Sequence, residues 1–555
     1  MPTYKAPGVY VEEISTLPPS IAEVATAIPA FIGYTEIGPA DKADPVVARI
    51  SSMLEFRTAF GGAPSDRFTV TAPADAAAVP AVQRQALTNN YSLYYALRLY
   101  FINGGGPCYI VSVGKYGAAP GVSAFRAGLA ALEKEDEPTL IVLTDAAALL
   151  SAADYYALCA DALSQCRKLG DRFTILDVQK GDWQGFRNSS AMAANLSYGA
   201  AYHPYLQTSI AYEYRDDDVS ITRSAGAPTG NVSGSAAIGG DNGLVASFSG
   251  PSGSTPNVSV TAGTAGKTPT FAVSGGALSI SDVKGKSATD VVTAWNQWKT
   301  AANAAGYDLR ANGTGAATFD ANIQSTPIGV AAAGGTADTL AKIKSSETAL
   351  YNRAKAVLDD QRIVLPPSAA MAGIYARVDR EQGVWKAPAN VGVLGVLGAV
   401  SKITNDDQEN LNIDPTAGKS INAIRDFTGK GTMVWGARTL AGNDNEWRYI
   451  PVRRLFITIE ESARKASAFA VFEPNDQATW LKVKAMVESY LYSLWERGAL
   501  AGAKPEQAYY VHVGLGTTMT AQDVLEGRMI VEIGVAAVRP AEFVILRFSH
   551  KLQSA

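Results

Sequence analysis

The segment DPTAGKS (414–420) looks most like phosphate chemistry. A phosphate loop needs a glycine five residues before Gly418 and a strand leading into it, so that backbone N–H groups cradle the anion while the lysine reaches it. Ile413 stands where that glycine belongs, and the polar run NDDQENLN leads in. Gly392, Gly395 and Gly398 read GxxGxxG rather than the dinucleotide pattern GxGxxG, with no acidic residue at the expected distance. Asp216-Asp217-Asp218 lacks the alternating ligands and turn glycine of a calcium loop. Glu12-Glu13 and Glu460-Glu461 are adjacent in sequence, so nothing places either pair across a substrate. His203, His512 and His550 fall in no metal-ligand spacing. Cys108, Cys159 and Cys166 form no CxxC pair; Cys159 and Cys166 share a helix face with Tyr155 and Leu163, where a thiol behaves as a small buried apolar group. The expectation is a non-enzyme with no catalytic residues, no metal site and no cofactor.

The elements around these decoys belong to a multidomain chain. At 555 residues, and with a prior of roughly 150 residues per domain, three or four domains are expected. A net charge of -4 provides no global field for nucleic acid or anionic membrane. The N-terminal stretch, with Pro2, Lys5 and Glu12-Glu13, does not read as a signal peptide, and VGVLGVLGAV (391–400) is too short and glycine-broken to span a bilayer. A cytosolic origin is expected.

GVYVEE opens the chain as a strand with breakers on both sides, Pro7-Gly8 and Pro18-Pro19, and no hairpin partner. IAEVATAIPAFIGYTE, CYIVSVG (108–114), TLIVLTD (139–145) and RFTILDV (172–178) read as buried strands. Helices stand between the later ones, one from Ser123 and one capped by Ser151 and ending near Gly170. Runs apolar on both faces, alternating with helices, mean a parallel sheet covered on both sides. Between Val219 and Ser281 only Arg223, Asp241 and Lys267 carry charge; LVASF, VSVTA and TFAVSGG read as short antiparallel strands, followed by a helix capped at Ser287 with Val291, Trp295 and Trp298 on one side. Beyond Gly429, VRRLFITIEES reads as a helix, FAVFEP as a strand, and Asn475 as the cap of a long helix striped by Trp480, Val483, Val487, Tyr490 and Leu494 and ended by Gly498. AYYVHVG and MIVEIGVAAV supply two strands. EFVILRFSH (542–550), after Pro540, is a second lone strand.

The fold class is therefore α/β and α+β multidomain: a strand arm at 1–20, a middle parallel-sheet α/β domain at 21–214 with 340–400, an inserted Gly/Ser/Thr-rich mostly-β domain at 215–339, a C-terminal α+β domain at 401–538, and a strand arm at 539–555.

YKAPGVYVEEISTLPPSIAEVATAIPAFIGYTE resembles the N-terminus of contractile tail sheath proteins, the family of phage tails, pyocin-like particles and contractile injection systems. NGGGPCYIVSVG, AAYHPYL, LPPSAAMAGIYARVDREQGVWKAPAN and the run from MVWGARTLAGNDNEWRYIPVRRLFITIEES through VFEPND to GVAAVRPAEFVILRF follow the same pattern in the same order. The 215–339 insertion lies outside it, and Ala537 departs from a proline common in the family. The stretch STLPPSIAEVATAIPAFIGYTE looks most like sheaths of extracellular contractile injection systems, with a phage tail or pyocin sheath as the alternative.

The resemblance implies a virion-like structural subunit that polymerises with itself into a six-start helical cylinder of hexameric rings around an inner tube protein. Baseplate and terminator or cap proteins would complete the particle, and contraction would drive the tube through a target envelope. It implies assembly in a bacterial cytoplasm and release of the particle, no bound nucleic acid, no direct membrane insertion, a C-terminal domain next to the tube and an insertion that projects outward. The lone strands, Val9, Tyr10, Val11, Glu12 and Glu13 at one end and Glu542, Phe543, Val544, Ile545, Leu546, Arg547 and Phe548 at the other, are expected to pair with neighbouring copies. Arg453, Arg454, Glu460 and Glu461 are either intersubunit ion pairs or charges that solvate a helix. Trp435, Arg438 and Trp447-Arg448 combine aromatic and guanidinium groups, with core packing expected for the tryptophans. From other classes, a surface adhesin or S-layer-like protein would need secretion of the intact chain. A nucleotide-binding enzyme would be removed by no detectable nucleotide binding and no loss of assembly on Lys419→Ala.

Overall fold

A computed structural model describes residues 21–547 apart from 40–43, 74, 76–77, 86–89, 224–230, 241, 252–253, 301–302, 333–337, 417 and 544. The chain forms two compact units, one from the described residues of 1–64, 87–213 and 362–555, the other from those of 65–86 and 214–361.

The first unit is built on a nine-stranded sheet. Its strands are β1 (Pro29–Thr35), β2 (Val46–Ile50), β3 (Cys108–Lys115), β4 (Leu140–Val142), β5 (Phe173–Asp177), β6 (Gly199–His203), β7 (Val391–Gly392), β8 (Ile421–Phe427) and β9 (Gly431–Val434), in the order β2-β3-β1-β4-β5-β6-β8-β9-β7. Neighbours from β3 through β8 run parallel, while β2 at one edge and β9 and β7 at the other are antiparallel. β1 is buried along its whole length because both sheet faces are covered. Phe31 meets Tyr100 of α1 (Leu93–Ile102) at 5.1 Å, and next to it Ile32 crowds Gly128 of α2 (Val122–Leu132). Consecutive strand residues point to opposite faces, so α1 and α2 cover opposite sides. α3 (Ala152–Leu169) packs on α2, and α4 (Ser368–Gln382) packs on α1. Ser151 caps α3 as expected, and Gly170 ends it in the left-handed region at φ 73°.

TLIVLTD is strand only to Val142, and Thr144–Leu149 is helical. The buried Asp145 carboxylate accepts hydrogen bonds from the N–H groups of Tyr34 (2.8 Å), Ser92 (2.7 Å) and Leu93 (3.2 Å), which fixes the turn and the start of α1. Burial pushes its carboxyl up to about 6 against those hydrogen bonds. Asp177 at the end of β5 does the same for α4, taking the Ser368 N–H at 2.7 Å and its hydroxyl at 2.6 Å, and burial pushes it up to about 7.

β8 and β9 continue the same sheet, so the boundary expected at 400/401 does not separate two sheets. Beyond them, α5 (Ile450–Ala466) and α6 (Gln477–Glu496) share a second core of Leu455, Ile459, Val483, Val487 and Leu494. β10 (Tyr509–Val513) and β11 (Val531–Val535) pair antiparallel, and β10 packs on α6. FAVFEP is not a strand: a 3-10 turn at Ser467–Ala470 extends α5, and Phe472 turns the chain at φ 68°. Asp476, not Asn475, caps α6 through the Thr479 N–H; the Asn475 amide is occupied by Trp480 Nε1 and the Arg528 carbonyl. Trp480 is half-buried, whereas Val483, Val487, Tyr490 and Leu494 are buried as expected.

The second unit holds three four-stranded sheets. Val219–Arg223 lies between Phe68–Ala72, parallel, and Asp338–Thr339, antiparallel. Two further sheets carry Leu244–Pro251, Asn257–Val260 and Thr270–Ser274, the pieces read as strands in the sequence. The helix Ala288–Trp298 has the full capping box of Ser287 and Asp290, and buries Val291 and Trp295. The unit is wider than 215–339: the helices Leu340–Ser346 and Thr348–Asp359 pack on its first sheet, and residues 65–86 supply two of that sheet's strands.

Candidate assembly interface

The decoys resolve into structure. The Lys419 ammonium is buried and donates to the carbonyls of Arg187 and Ser189, each at 2.8 Å. Arg187 lies 3.7 Å from Asp414, and its guanidinium bonds the carbonyls of Lys419 and Leu411. DPTAGKS is thus a brace between chain segments. Asp216 accepts from the Tyr351 hydroxyl at 3.0 Å and faces Lys355 at 3.6 Å. Among the described residues no group of three His, Cys, Asp or Glu side chains is placed to hold a metal ion, and no helix is long and apolar enough to cross a membrane. All three cysteines are free and buried. His203 is buried at the end of β6, its imidazole pushed down to about 4 by burial. His512 is exposed and stacks on Tyr510 at 4.8 Å.

Arg453, Arg454, Glu460 and Glu461, on α5, find partners inside the chain. Arg454 is buried in a double hydrogen bond to Asp379 of α4, at 2.9 and 2.5 Å, donates to the Thr26 carbonyl, and lies over the Tyr375 ring. Arg453 donates to the Tyr198 hydroxyl at 2.6 Å, is flanked by the Tyr198 and Trp447 rings, and lies 3.7 Å from Glu460. Glu461 is buried against Arg464 and Lys465. The buried charges Arg453, Arg454 and Glu461 are thus matched locally, as burial requires, and Glu460 stands half-exposed beside Arg453. Trp447 also packs edge-on to Phe456, and Trp435 against Phe427.

Val9, Tyr10, Val11, Glu12 and Glu13 lie outside the described residues, as do Val544 and Phe548. At the other arm, Glu542 is held inside the chain. Its carboxylate takes Arg438 Nε at 2.9 Å and Nη2 at 2.6 Å, Asn412 Nδ2 at 2.8 Å and the Tyr449 hydroxyl at 3.3 Å. Burial pushes that carboxyl up, but the Arg438 and Asn412 hydrogen bonds outweigh it and hold it below the usual carboxylate range. Immediately beyond, Phe543, Ile545 and Leu546 are 68%, 76% and 73% exposed, and none of the described residues 541–547 pairs as a strand within the chain. β10 and β11 form a two-stranded sheet that no third strand joins among the described residues. Sequence reading placed Glu542 among the exchanged residues. Its four donors come from segments scattered over 412–449, which no local pattern connects.

Comparison with known proteins separates a sheath from the other classes. Residues 288–440 match the family model for the phage tail sheath protein central domain, and residues 442–551 match that for the phage tail sheath C-terminal domain. The chain carries the central and C-terminal domains of the phage tail sheath family. The central-domain match begins at Ala288, so the family pattern reaches into the segment read as an insertion. The tail sheath protein of Burkholderia phage BcepMu is 33% identical over 144 residues, 25% of this chain and 30% of that protein. Aligned regions span between 21% and 32% of the length of the first phage sheaths matched. Two solved assemblies align over nearly the whole chain. The helical sheath of the anti-feeding prophage in its contracted state is 27% identical, covers 99% of this chain and 100% of its own, and superposes with a TM-score of 0.56. The sheath complex of the extracellular contractile injection system PVC, also contracted, is 25% identical, with coverage of 100% and 99% and a TM-score of 0.53.

Proposed function

We propose that this chain is the structural subunit of a contractile sheath of the extracellular injection-system type. It polymerises with itself around an inner tube, docks on a baseplate and shortens to drive the tube into a target envelope. The observation that carries this is the C-terminal arm. Three large apolar side chains stand in water directly after an anchored carboxylate, on a stretch with strand alternation and no strand partner among the described residues. Exposed apolar stretches of this kind are covered in the working assembly.

The occupant that fits is a second copy. A two-stranded sheet is marginal by itself, and among the described residues no third strand joins β10–β11, which leaves it an edge for an incoming strand. Each added backbone hydrogen bond contributes about 0.5–1.5 kcal/mol, so one strand is weak and many repeated along a polymer are strong. The near-complete alignment with sheaths of the anti-feeding prophage and PVC favours the injection-system type over a phage tail. Co-expression with the tube and baseplate proteins of the same particle, followed by negative-stain microscopy, tests the proposal: sheathed tubes support it, and soluble monomers beside naked tubes refute it.

A further inference from the structure

The exposed apolar stretch begins one residue after the most heavily bonded carboxylate of the C-terminal segment. Arg438 is itself fixed before it reaches Glu542. Its N–H donates to Asn422 Oδ1 at 2.8 Å, its carbonyl accepts from Asn422 Nδ2 at 2.8 Å, and its side chain is 5% exposed. Asn412 ends the helix Asn405–Asn412, and Tyr449 precedes α5, so the donors around Glu542 belong to three separately folded segments. A planar guanidinium gripping a carboxylate through two parallel hydrogen bonds sets position and direction together, which a single ammonium contact does not.

We propose that the Glu542–Arg438 pair is the anchor from which the C-terminal arm leaves its subunit, and that it fixes the register in which Phe543 and the residues after it meet the neighbouring copy. Residues before Glu542 are tethering chain; residues after it are counted from a fixed point. Because side chains alternate along a strand, a shift of one residue after the anchor turns the whole apolar set to the wrong face. The same shift before the anchor is taken up as slack, since Glu542 stays where Arg438 holds it. In a contracting polymer the anchor is also the point where tension in the exchanged strand enters the folded subunit.

This rests on the exchanged-arm account above, and the experiment separates the two. The full chain is co-expressed with its tube and baseplate proteins, and the sheath is quantified by sedimentation and negative stain. One glycine inserted between Glu542 and Phe543 lowers assembled sheath by about tenfold or more, because the lost strand is repeated in every subunit. One glycine inserted between Pro540 and Ala541 leaves assembly near the parent level. Glu542→Gln, with an unchanged circular dichroism spectrum, gives sheaths that assemble poorly or break on contraction; if that variant fails to fold, the two insertions decide. Deletion of residues 543–555 abolishes assembly if the arm is exchanged at all. Sheaths from that deletion would remove the arm account. No sheaths from it, together with equal effects of the two insertions, would overturn the anchor and leave the arm account standing.

Discussion

Arg454 and Asp379 join α5 to α4 through two short hydrogen bonds, with both side chains shielded almost completely from solvent (3% and 5% exposed). The pair ties α5, which begins just after Tyr449 at the Glu542 carboxylate, to the covering layer of the large sheet. Removing one partner strands a buried charge, and the cost of that is about 3–5 kcal/mol. Asp379→Asn and Arg454→Met are each expected to lower the stability of the isolated subunit by that order in urea titrations followed by circular dichroism. Glu460→Gln, at a half-exposed carboxylate, is expected to change it by less than about 1 kcal/mol.

Asp177 sets a pH dependence. Its carboxyl is raised from the ordinary value of 3.8 to about 7 by burial, so the folded chain holds a proton that the unfolded chain has released. The stabilisation is full below about pH 4 and is lost as pH rises through 7. Relative to Asp177→Asn, which cannot titrate, the parent subunit should gain on the order of 2–3 kcal/mol between pH 8 and pH 5. Melting curves of both at the two pH values read this difference directly. A difference independent of pH would show that Asp177 titrates near its unfolded value.

Much of the architecture could be read from the sequence, since β1, β3 and β5 are apolar runs and α2 and α3 carry helical stripes with Ser151 and Gly170 at the ends of α3. Buried polar pairs were not legible. Asp145 and Asp177 sit at the ends of apolar runs that read as strand, and only the folded chain shows that each carboxylate serves the start of a distant helix. Arg454 was read with its sequence neighbours because Asp379 is 75 residues away. FAVFEP has strand composition, but α5 runs into it and no partner strand reaches it among the described residues. At the arm, the lone strand after Pro540 was legible as a segment, whereas the grip on Glu542 depended on three remote segments.

The excision that tests the insertion follows the second unit's sheets. Replacing Asp216–Thr339 would remove Val219–Arg223 from beside Phe68–Ala72 and leave that strand's edge bare. Replacing residues 224–337 with a short Gly-Ser linker keeps that sheet. The excised span holds the other two sheets of the unit, and cylinders of reduced outer diameter are expected by electron microscopy. Monomers that fold yet never assemble would show that the excised part supplies a required lateral contact.

Lys419→Ala removes two charge-assisted hydrogen bonds from a buried brace, each contributing about 1.5–3 kcal/mol, and is expected to destabilise the subunit. Loss of assembly in that variant would report on folding. Titration of the parent protein with ATP and GTP by calorimetry is the discriminating measurement. No heat of binding is expected, and saturable binding would revive the nucleotide-enzyme reading.

The most direct test of the account is the pair of arm deletions, Pro2–Ser15 and Ala541–Ala555, made separately in the full chain with tube and baseplate proteins present. Circular dichroism first establishes folding, and negative-stain microscopy then scores sheaths before and after contraction. Folded subunits that fail to polymerise, or sheaths that come apart as they contract, are predicted for each deletion. Intact sheaths that contract normally without an arm would contradict strand exchange at that end.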